Sequence, residues 1–283
     1  MKHKIKKVGV VLRPSTPEIK ENYLLLESIF RKYNIEVLLE INSASMIGFK
    51  GEELTLLSKK CDVFVTLGGD GTLISTVRKS FDFDIPILGV HAGNLGFLAD
   101  LALDELDDFV QKIIDGDFTL DERVVLEATV MKDAKETKMY AFNDIVLTRT
   151  RVSNMIHVEA FVDSKQFNTY YGDGVIVSTP TGSTAYNLSA GGPVLFPMTN
   201  VFALTPICPH SLTQKPIVLP GKYTVEMKTS EEHALIIIDG QDMHELGLGE
   251  SVFIKLAPKT IKLMHKQEYN YFDVLKEKLN WGN

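Results

Sequence analysis

The sequence has little cysteine: two residues, Cys61 and Cys208, far apart and outside any CxxC pair. Neither a disulfide scaffold nor a thiolate zinc site is expected from that spacing. It also lacks a basic excess, with 30 Lys and Arg against 37 Asp and Glu, a net charge of −7, and no Lys/Arg-rich run. A non-specific nucleic-acid binder carries the opposite balance, so no nucleic-acid partner is expected. No long hydrophobic run is present. The most apolar stretch, residues 85–103, is interrupted by His91, Asn94 and Asp100 and makes a poor membrane span. The apolar run at residues 8–12 stops at Arg13, too early for the core of a signal peptide. These absences point to a cytoplasmic soluble protein with no membrane partner. What remains is an ordinary globular composition, 45% hydrophobic and 24% charged over 283 residues. That length gives a soft expectation of two domains, at roughly 150 residues each.

Two periodicities alternate over the first hundred residues. Continuous apolar runs at 8–12, 63–67 and 86–90 read as strands buried on both faces, and Glu36–Leu39 is strand-like. Between them, Ile19, Tyr23, Leu26, Phe30 and Tyr33 fall on one helical face, and a second helix is expected from Thr72 to about Lys79. Strands alternating with helices predict a parallel sheet in a doubly wound, Rossmann-like α/β domain, placed at residues 1–120. Past residue 120 the pattern becomes strand after strand, at 123–130, 140–148, 155–162, 174–178, 223–229, 234–239 and 251–257. A mostly antiparallel β-rich domain is therefore expected over 121–265, making the chain two-domain α+β overall. Residues 266–283 return to helical spacing at Tyr271, Phe272, Leu275 and Leu279 and are expected to pack back onto the first domain.

Two segments carry chemistry. Gly68-Gly69-Asp70-Gly71-Thr72 follows a buried strand and opens a helix. Glycines let backbone approach a ligand, and the amides opening a helix attract anions, so Gly68, Gly69, Gly71 and Thr72 form a candidate phosphate cradle. Asp70 can accept a proton from an attacking hydroxyl. The blander alternative is a tight turn with Asp70 as a local cap. No GK[ST] follows, so this is not a Walker loop. The second segment runs from Asp173 through Ser178-Thr179-Pro180-Thr181-Gly182-Ser183-Thr184-Ala185-Tyr186 to Pro193. Its hydroxyls and backbone amides suit sugars and phosphates, and Tyr186 can stack on a base; a polar surface loop is the alternative. Asn143-Asp144 reads as an Asx-turn, and Gly172-Asp173-Gly174 and Asp239-Gly240-Gln241 as hairpin turns. No histidine has metal-ligand spacing. His157 reads as structural, and His91 lies at the same strand edge as Asp70. With no GxSxG elbow and no closely spaced carboxylate pair, hydrolysis has no support.

In this order, the Gly-Gly-Asp-Gly-Thr turn, Gly93-Asn94-Leu95-Gly96-Phe97-Leu98, Asn143-Asp144, Asp173-Gly174, the Thr-Pro-Thr-Gly-Ser-Thr-Ala-Tyr stretch and Ala190-Gly191-Gly192-Pro193 resemble the NAD kinase family. The first turn is shared with diacylglycerol and sphingosine kinases and phosphofructokinases; the long stretch with Asn143-Asp144 is more specific. The resemblance implies transfer of the γ-phosphoryl of ATP, or polyphosphate in some members, to the 2′-hydroxyl of the adenosine ribose of NAD. It also implies a divalent cation such as Mg²⁺ and homodimers or homotetramers; from the residue spacing, no metal-ligating residue is expected. By motif, Asp70 would be the proton acceptor and Gly71 would approach ribose and diphosphate. Asn143 and Asp144 would hold ribose and adenine groups. Thr184, Ala185, Tyr186, Asn187, Leu188 and Ser189 would line the NAD site. Asp173 would contact the nicotinamide end, from another subunit's NAD site. Gln241, Asn154 and Tyr171 align with further contact positions.

The chain departs from the resemblance in two places. Gly89-Val90-His91-Ala92-Gly93 stands where many members read Gly-Ile-Asn-Arg-Gly, so a cation that would meet phosphate is missing. Asn143-Asp144 stands where many have Asn-Glu, which shortens the carboxylate by one bond. A lipid kinase sharing the first turn and a non-catalytic NAD(P) sensor are the competing readings.

Overall fold

The computed structural model describes residues 5–93, 95–132, 135–150, 155–231 and 233–282. The chain forms two compact units, residues 1–122 with 261–283, and residues 123–260.

The first unit begins with β1 (Lys7–Leu12), α1 (Lys20–Lys32), β2 (Glu36–Leu39), α2 (Ile41–Ile47), α3 (Leu54–Leu57), β3 (Val63–Leu67), α4 (Asp70–Ser80), β4 (Ile87–His91), β5 (Leu101–Ala102), α5 (Leu106–Asp115) and β6 (Thr119–Arg123). Every residue of β3 and β4 is buried, as the unbroken apolar runs require of strands covered on both faces. β1 pairs in parallel with β2 on one side and β3 on the other, and β3 pairs in parallel with β4. The chain therefore reverses its winding between β1 and β3. In an open parallel sheet, ligands bind at such a switch point, beyond the carboxyl ends of the strands. Val8, Val10, Leu12, Leu88 and Val90 share a core with Tyr23, Leu26 and Phe30 of α1 and Leu106, Phe109 and Ile113 of α5. On the opposite face, Gly89 lies against Leu73 of α4, where a Cβ would come within 2.7 Å of the Leu73 side chain. Helices thus cover both faces, as doubly wound folds require.

The second unit holds β7 (Leu126–Lys132), β8 (Lys135–Ala141), β9 (Asp144–Arg149), β10 (Ile156–Val162), β11 (Lys165–Gly172), β12 (Gly174–Ser178), the single-turn α6 (Tyr186–Ser189), β13 (Val201–Ile207), β14 (Ile217–Pro220), β15 (Val225–Thr229), β16 (His233–Ile238), β17 (Asp242–Gly247) and β18 (Ser251–Leu256). They form two sheets, ordered β11-β10-β15-β18-β7-β8 and β14-β13-β12-β9-β16-β17. Ala128, Val158, Met227 and Ile254 of the first sheet share one core with Leu147, Val177, Leu204 and Ile236 of the second. The chain then returns to the first unit as β19 (Ile261–His265), parallel to β4, and α7 (Tyr271–Leu279).

Three expectations need correction, and one helix was not expected. The β-rich domain was expected to run to residue 265, but Ile261, Leu263 and Met264 are buried in the first unit's parallel sheet, so the second unit ends at 260. Residues 140–148 are two strands rather than one: the chain leaves β8 in one sheet and enters β9 in the other at Phe142-Asn143. Gly172-Asp173-Gly174 joins β11 to β12 across the two sheets, so it is a sheet-crossing joint and no hairpin. The helix α5 had no counterpart in the periodicity reading. By contrast, Asp239-Gly240 is a hairpin turn between β16 and β17, with φ of 51° and 63° and the Gln241 amide donating to Ile238 O at 2.9 Å. Both central residues are left-handed, the geometry that matches strand twist in a two-residue loop.

Candidate functional site

In the first unit the site is built at the ends of β1 and β3. The amide of Arg13, just past β1, donates to Leu67 O at 2.9 Å, and the Gly68 amide donates to Val90 O at 2.9 Å. A Cβ on Gly68 would stand 2.5 Å from Thr72 Oγ1, so the tight turn into α4 admits only glycine there. Positions 69 and 71 meet nothing within 4 Å, leaving backbone open on that side. A pocket of about 380 Å³ opens beside the turn, lined by Arg13, Glu18, Asn22, Gly68, Gly69 and Gly93 among others. Of the expected cradle, Gly68 and Gly69 face this pocket, whereas Thr72 is buried and gives its amide to Gly69 O. His91 is buried with Nδ1 2.6 Å from Gly93 O, so it shapes the loop after β4.

Asp70 opens α4, and its carboxylate is held by backbone. Oδ2 accepts the Phe97 amide at 2.8 Å, while Oδ1 accepts the Leu98 and Ala99 amides at 3.1 and 3.0 Å. A side chain on Gly96 would overlap that carboxylate. Asn94 of the same motif lies outside the described residues.

The second unit repeats the device. Asp239, in the hairpin turn, accepts the Phe142 amide on Oδ2 at 2.9 Å and the Asn143 and Asp144 amides on Oδ1 at 2.7 and 3.0 Å. The cap expected from Asn143-Asp144 itself is supplied by a distant residue. Asp144 is buried, and burial first, then the charge of Asp239, pushes its carboxyl from 3.8 up to about 7. Gly182 packs on the Asn143 backbone, its position too close for any Cβ. Asn143 Oδ1 and Thr181 Oγ1 are buried without a partner. A buried polar atom left unpaired costs about 1–3 kcal/mol, so such atoms mark a place where a ligand completes the structure.

Most hydroxyls of the Thr-Pro-Thr-Gly-Ser stretch serve the loop itself, contrary to the expectation that they face sugar and phosphate. Thr179 Oγ1 donates to Phe142 O at 2.6 Å and accepts the Gly182 amide at 3.0 Å; Ser183 Oγ donates to Pro180 O at 2.7 Å. Asn187 is wholly buried, its amide donating to Ser183 O and Pro193 O at 3.0 Å each and its oxygen accepting Thr205 Oγ1 at 2.6 Å. That leaves Thr184, Ala185 and Leu188 half-buried, and Tyr186 and Ser189 exposed. Burial, with the charges of Cys208, Asp173 and Asp144, lifts the Tyr186 hydroxyl above its ordinary value, which sets these groups in one electrostatic neighbourhood. Asp173 Oδ1 pairs with Arg149 Nη2 at 3.1 Å. Tyr171 stacks on His157 at 4.2 Å between ring centres, a contact that gives His157 a packing role. Gln241 is exposed at the start of β17, and Asn154 lies outside the described residues.

Sequence reasoning missed Asp239, Gly96 and Arg13. For the first two the signal was a short polar residue or a glycine whose partner is about a hundred or thirty residues away, which no local pattern carries.

Comparison with known proteins agrees across both units. Residues 32–118 match the ATP-NAD kinase N-terminal domain and residues 142–266 the ATP-NAD kinase C-terminal domain. Those matches define the class, a two-domain kinase of a dinucleotide. An NAD kinase of Sulfurimonas denitrificans is 75% identical over 278 residues, covering 98% of each chain. One from Wolinella succinogenes is 48% identical over 280 residues, 99% of this chain and 97% of that one. The chain belongs to the NAD kinase family, enzymes that phosphorylate NAD, and the lipid-kinase reading is set aside. Among solved structures, yeast NADH kinase complexed with NADH superposes with a TM-score of 0.91 at 25% identity, covering 99% of this chain and 89% of that one. An Archaeoglobus fulgidus NAD kinase in complex with ATP shares the fold, with a TM-score of 0.75 and 24% identity over 97% of this chain and 98% of that one.

Proposed function

We propose that the protein transfers the γ-phosphoryl of ATP, with polyphosphate as an alternative donor, to the 2′-hydroxyl of the adenosine ribose of NAD, giving NADP. The observation that carries the acceptor side is the pair of buried, unpartnered atoms, Asn143 Oδ1 and Thr181 Oγ1, beside the buried Asp144. They call for a ligand with hydrogen-bond donors, which a ribose hydroxyl and an adenine amine both supply. Tyr186 offers an exposed ring to the base or nicotinamide. On the donor side, the pocket at Gly68 and Gly69 receives the phosphate chain, with the Arg13 guanidinium as its cation. Phosphoryl transfer rests on alignment and charge neutralisation, so Asp70 acts by orienting the acceptor hydroxyl and taking its proton late.

Among the described residues, no three His, Cys, Asp or Glu converge on a metal position. We infer that a divalent cation such as Mg²⁺ would arrive on the nucleotide phosphates and keep its waters, with Glu18 the carboxylate in the pocket lining. Such an ion would supply charge neutralisation at the transferring group. A cytoplasmic location and a homodimer or homotetramer, with Asp173 reaching a neighbouring subunit's dinucleotide, belong to the same reading.

The test is NADP formation from NAD, ATP and Mg²⁺, followed by a coupled NADP-specific dehydrogenase, with Asp70→Ala alongside. Product from the wild type and none from the variant is the expected result. NAD binding without product from either would make the protein a dinucleotide sensor.

A further inference from the structure

A carboxylate offers about four acceptor positions, two on each oxygen. At Asp70 three are filled by consecutive backbone amides: Leu98 and Ala99 on Oδ1, and Phe97 on Oδ2. One remains, on Oδ2. The segment that supplies the amides is itself seated on the sheet. The Gly96 amide donates to Ala99 O at 3.1 Å, and Leu98 and Ala99 are buried. Ala99 lies so close to Gly89 of β4 that a Cβ there would stand 2.9 Å from Ala99 Cα. Lys278 of α7 donates to Leu95 O at 2.6 Å from the other side. The carboxylate is thus set in a mould of backbone, and Gly96 is the wall of that mould: its missing side chain is the space the carboxylate occupies.

We propose that residues 96–99 form a positioning clamp for the Asp70 carboxylate, leaving a single acceptor site on Oδ2 as the one that takes the substrate hydroxyl's proton. Gly96 is the positioning residue of this clamp, acting through Asp70 and touching no substrate. The inference rests on the assignment of Asp70 as proton acceptor. A side chain at 96 would push the carboxylate off its amides, misdirecting the free lone pair.

The experiment is a two-by-two set: wild type, Gly96→Ala, Asp70→Ala and the double variant, measured for the steady-state kinetics of NADP formation and for thermal melting. Gly96→Ala should lose at least about tenfold in kcat, with KM for NAD and ATP changed by no more than about twofold. In the Asp70→Ala background the clash is gone, so adding Gly96→Ala should leave melting unchanged. A loss in Gly96→Ala that falls on KM for NAD or ATP and leaves kcat at the wild-type value overturns the clamp. So does an equal loss of melting temperature in both backgrounds, which would make Gly96 a requirement of the loop alone. The melting comparison keeps its force if Gly96→Ala folds poorly. Were the wild type to form no NADP, the assignment of Asp70 would fall, while melting would still report whether Gly96 acts through it.

Discussion

The Asp144 amide donates to Asp239 Oδ1 at 3.0 Å, so a buried carboxyl hangs directly beside the carboxylate that fixes its backbone. Burial and the neighbouring charge push Asp144 from 3.8 to about 7. The folded protein therefore holds a proton that the unfolded chain gives up above pH 3.8. The linkage has one sign: stability contributed by this group falls between about pH 4 and pH 7 and is flat above. A ligand hydroxyl or amine that donates to Asp144 bonds the ionised form more strongly than the neutral one, so NAD binding should tighten with pH up to about 7, by at most about tenfold per unit. Titration calorimetry at pH 5.5, 6.5 and 7.5 checks this, with Asp144→Asn expected to give a flat profile. A wild-type profile as flat as the variant's would place the ligand's donors elsewhere.

Removing the Asp239 side chain should do more than lose a turn. The amides of Phe142, Asn143 and Asp144 would be left without their acceptor at the point where the chain changes sheets. Each buried unpaired amide costs about 1–3 kcal/mol, and water reaching the hairpin would offset part of it. Asp239→Ala is expected to lower the melting temperature and to raise KM for NAD several-fold, while KM for ATP stays near wild type. Equal shifts in both KM values would mean that the damage is general unfolding.

The legible part of this molecule was the part written in short-range pattern. Buried parallel strands announced themselves because both faces are covered, as in β3 and β4, and α1 showed its Tyr23, Leu26 and Phe30 stripe. Residues 261–265 were placed in the wrong unit because local pattern does not reveal which sheet a segment joins; Ile261 and Leu263 suit either. For the same reason residues 140–148 looked like one strand: the break at Phe142-Asn143 is enforced by Asp239, nearly a hundred positions on. At the site, motif position singled out Asp70, whose carboxylate is held by backbone amides, and Asp144, which is buried. It could not separate hydroxyls that hold the loop together, such as Thr179 and Ser183, from side chains that face outward, such as Tyr186.

Asp70→Asn is not an isosteric change here. With its oxygen kept on the Leu98 and Ala99 amides, its NH₂ group would face the Phe97 amide, donor against donor. The expected outcome is a turnover loss of at least about a hundredfold, from the missing base and the disturbed loop together. NAD should still bind, since Asn143, Thr181 and Asp144 lie in the other unit. Steady-state kinetics with equilibrium NAD binding checks both halves, and near-wild-type turnover would remove Asp70 from its role.

Arg13 supplies the last prediction. Its backbone is pinned to Leu67 beside the glycine turn, and its side-chain stem runs along Gly68, 3.1 Å from where a Cβ would sit. Position 92, across the same pocket, is alanine, so the guanidinium is the basic group in that lining. A planar fork of donors binds phosphate oxygens in pairs, and an ammonium does so less well. Arg13→Ala should raise KM for ATP about tenfold or more with KM for NAD unchanged, and Arg13→Lys should recover part of the loss. Glu18 lines the same pocket, so a metal-neutralised phosphate chain should bind better than a bare one. Inorganic tripolyphosphate should therefore compete with ATP in the wild type more strongly when Mg²⁺ is present, and weakly in Arg13→Ala. If KM for ATP stays at the wild-type value in Arg13→Ala, the donor phosphates do not use this pocket.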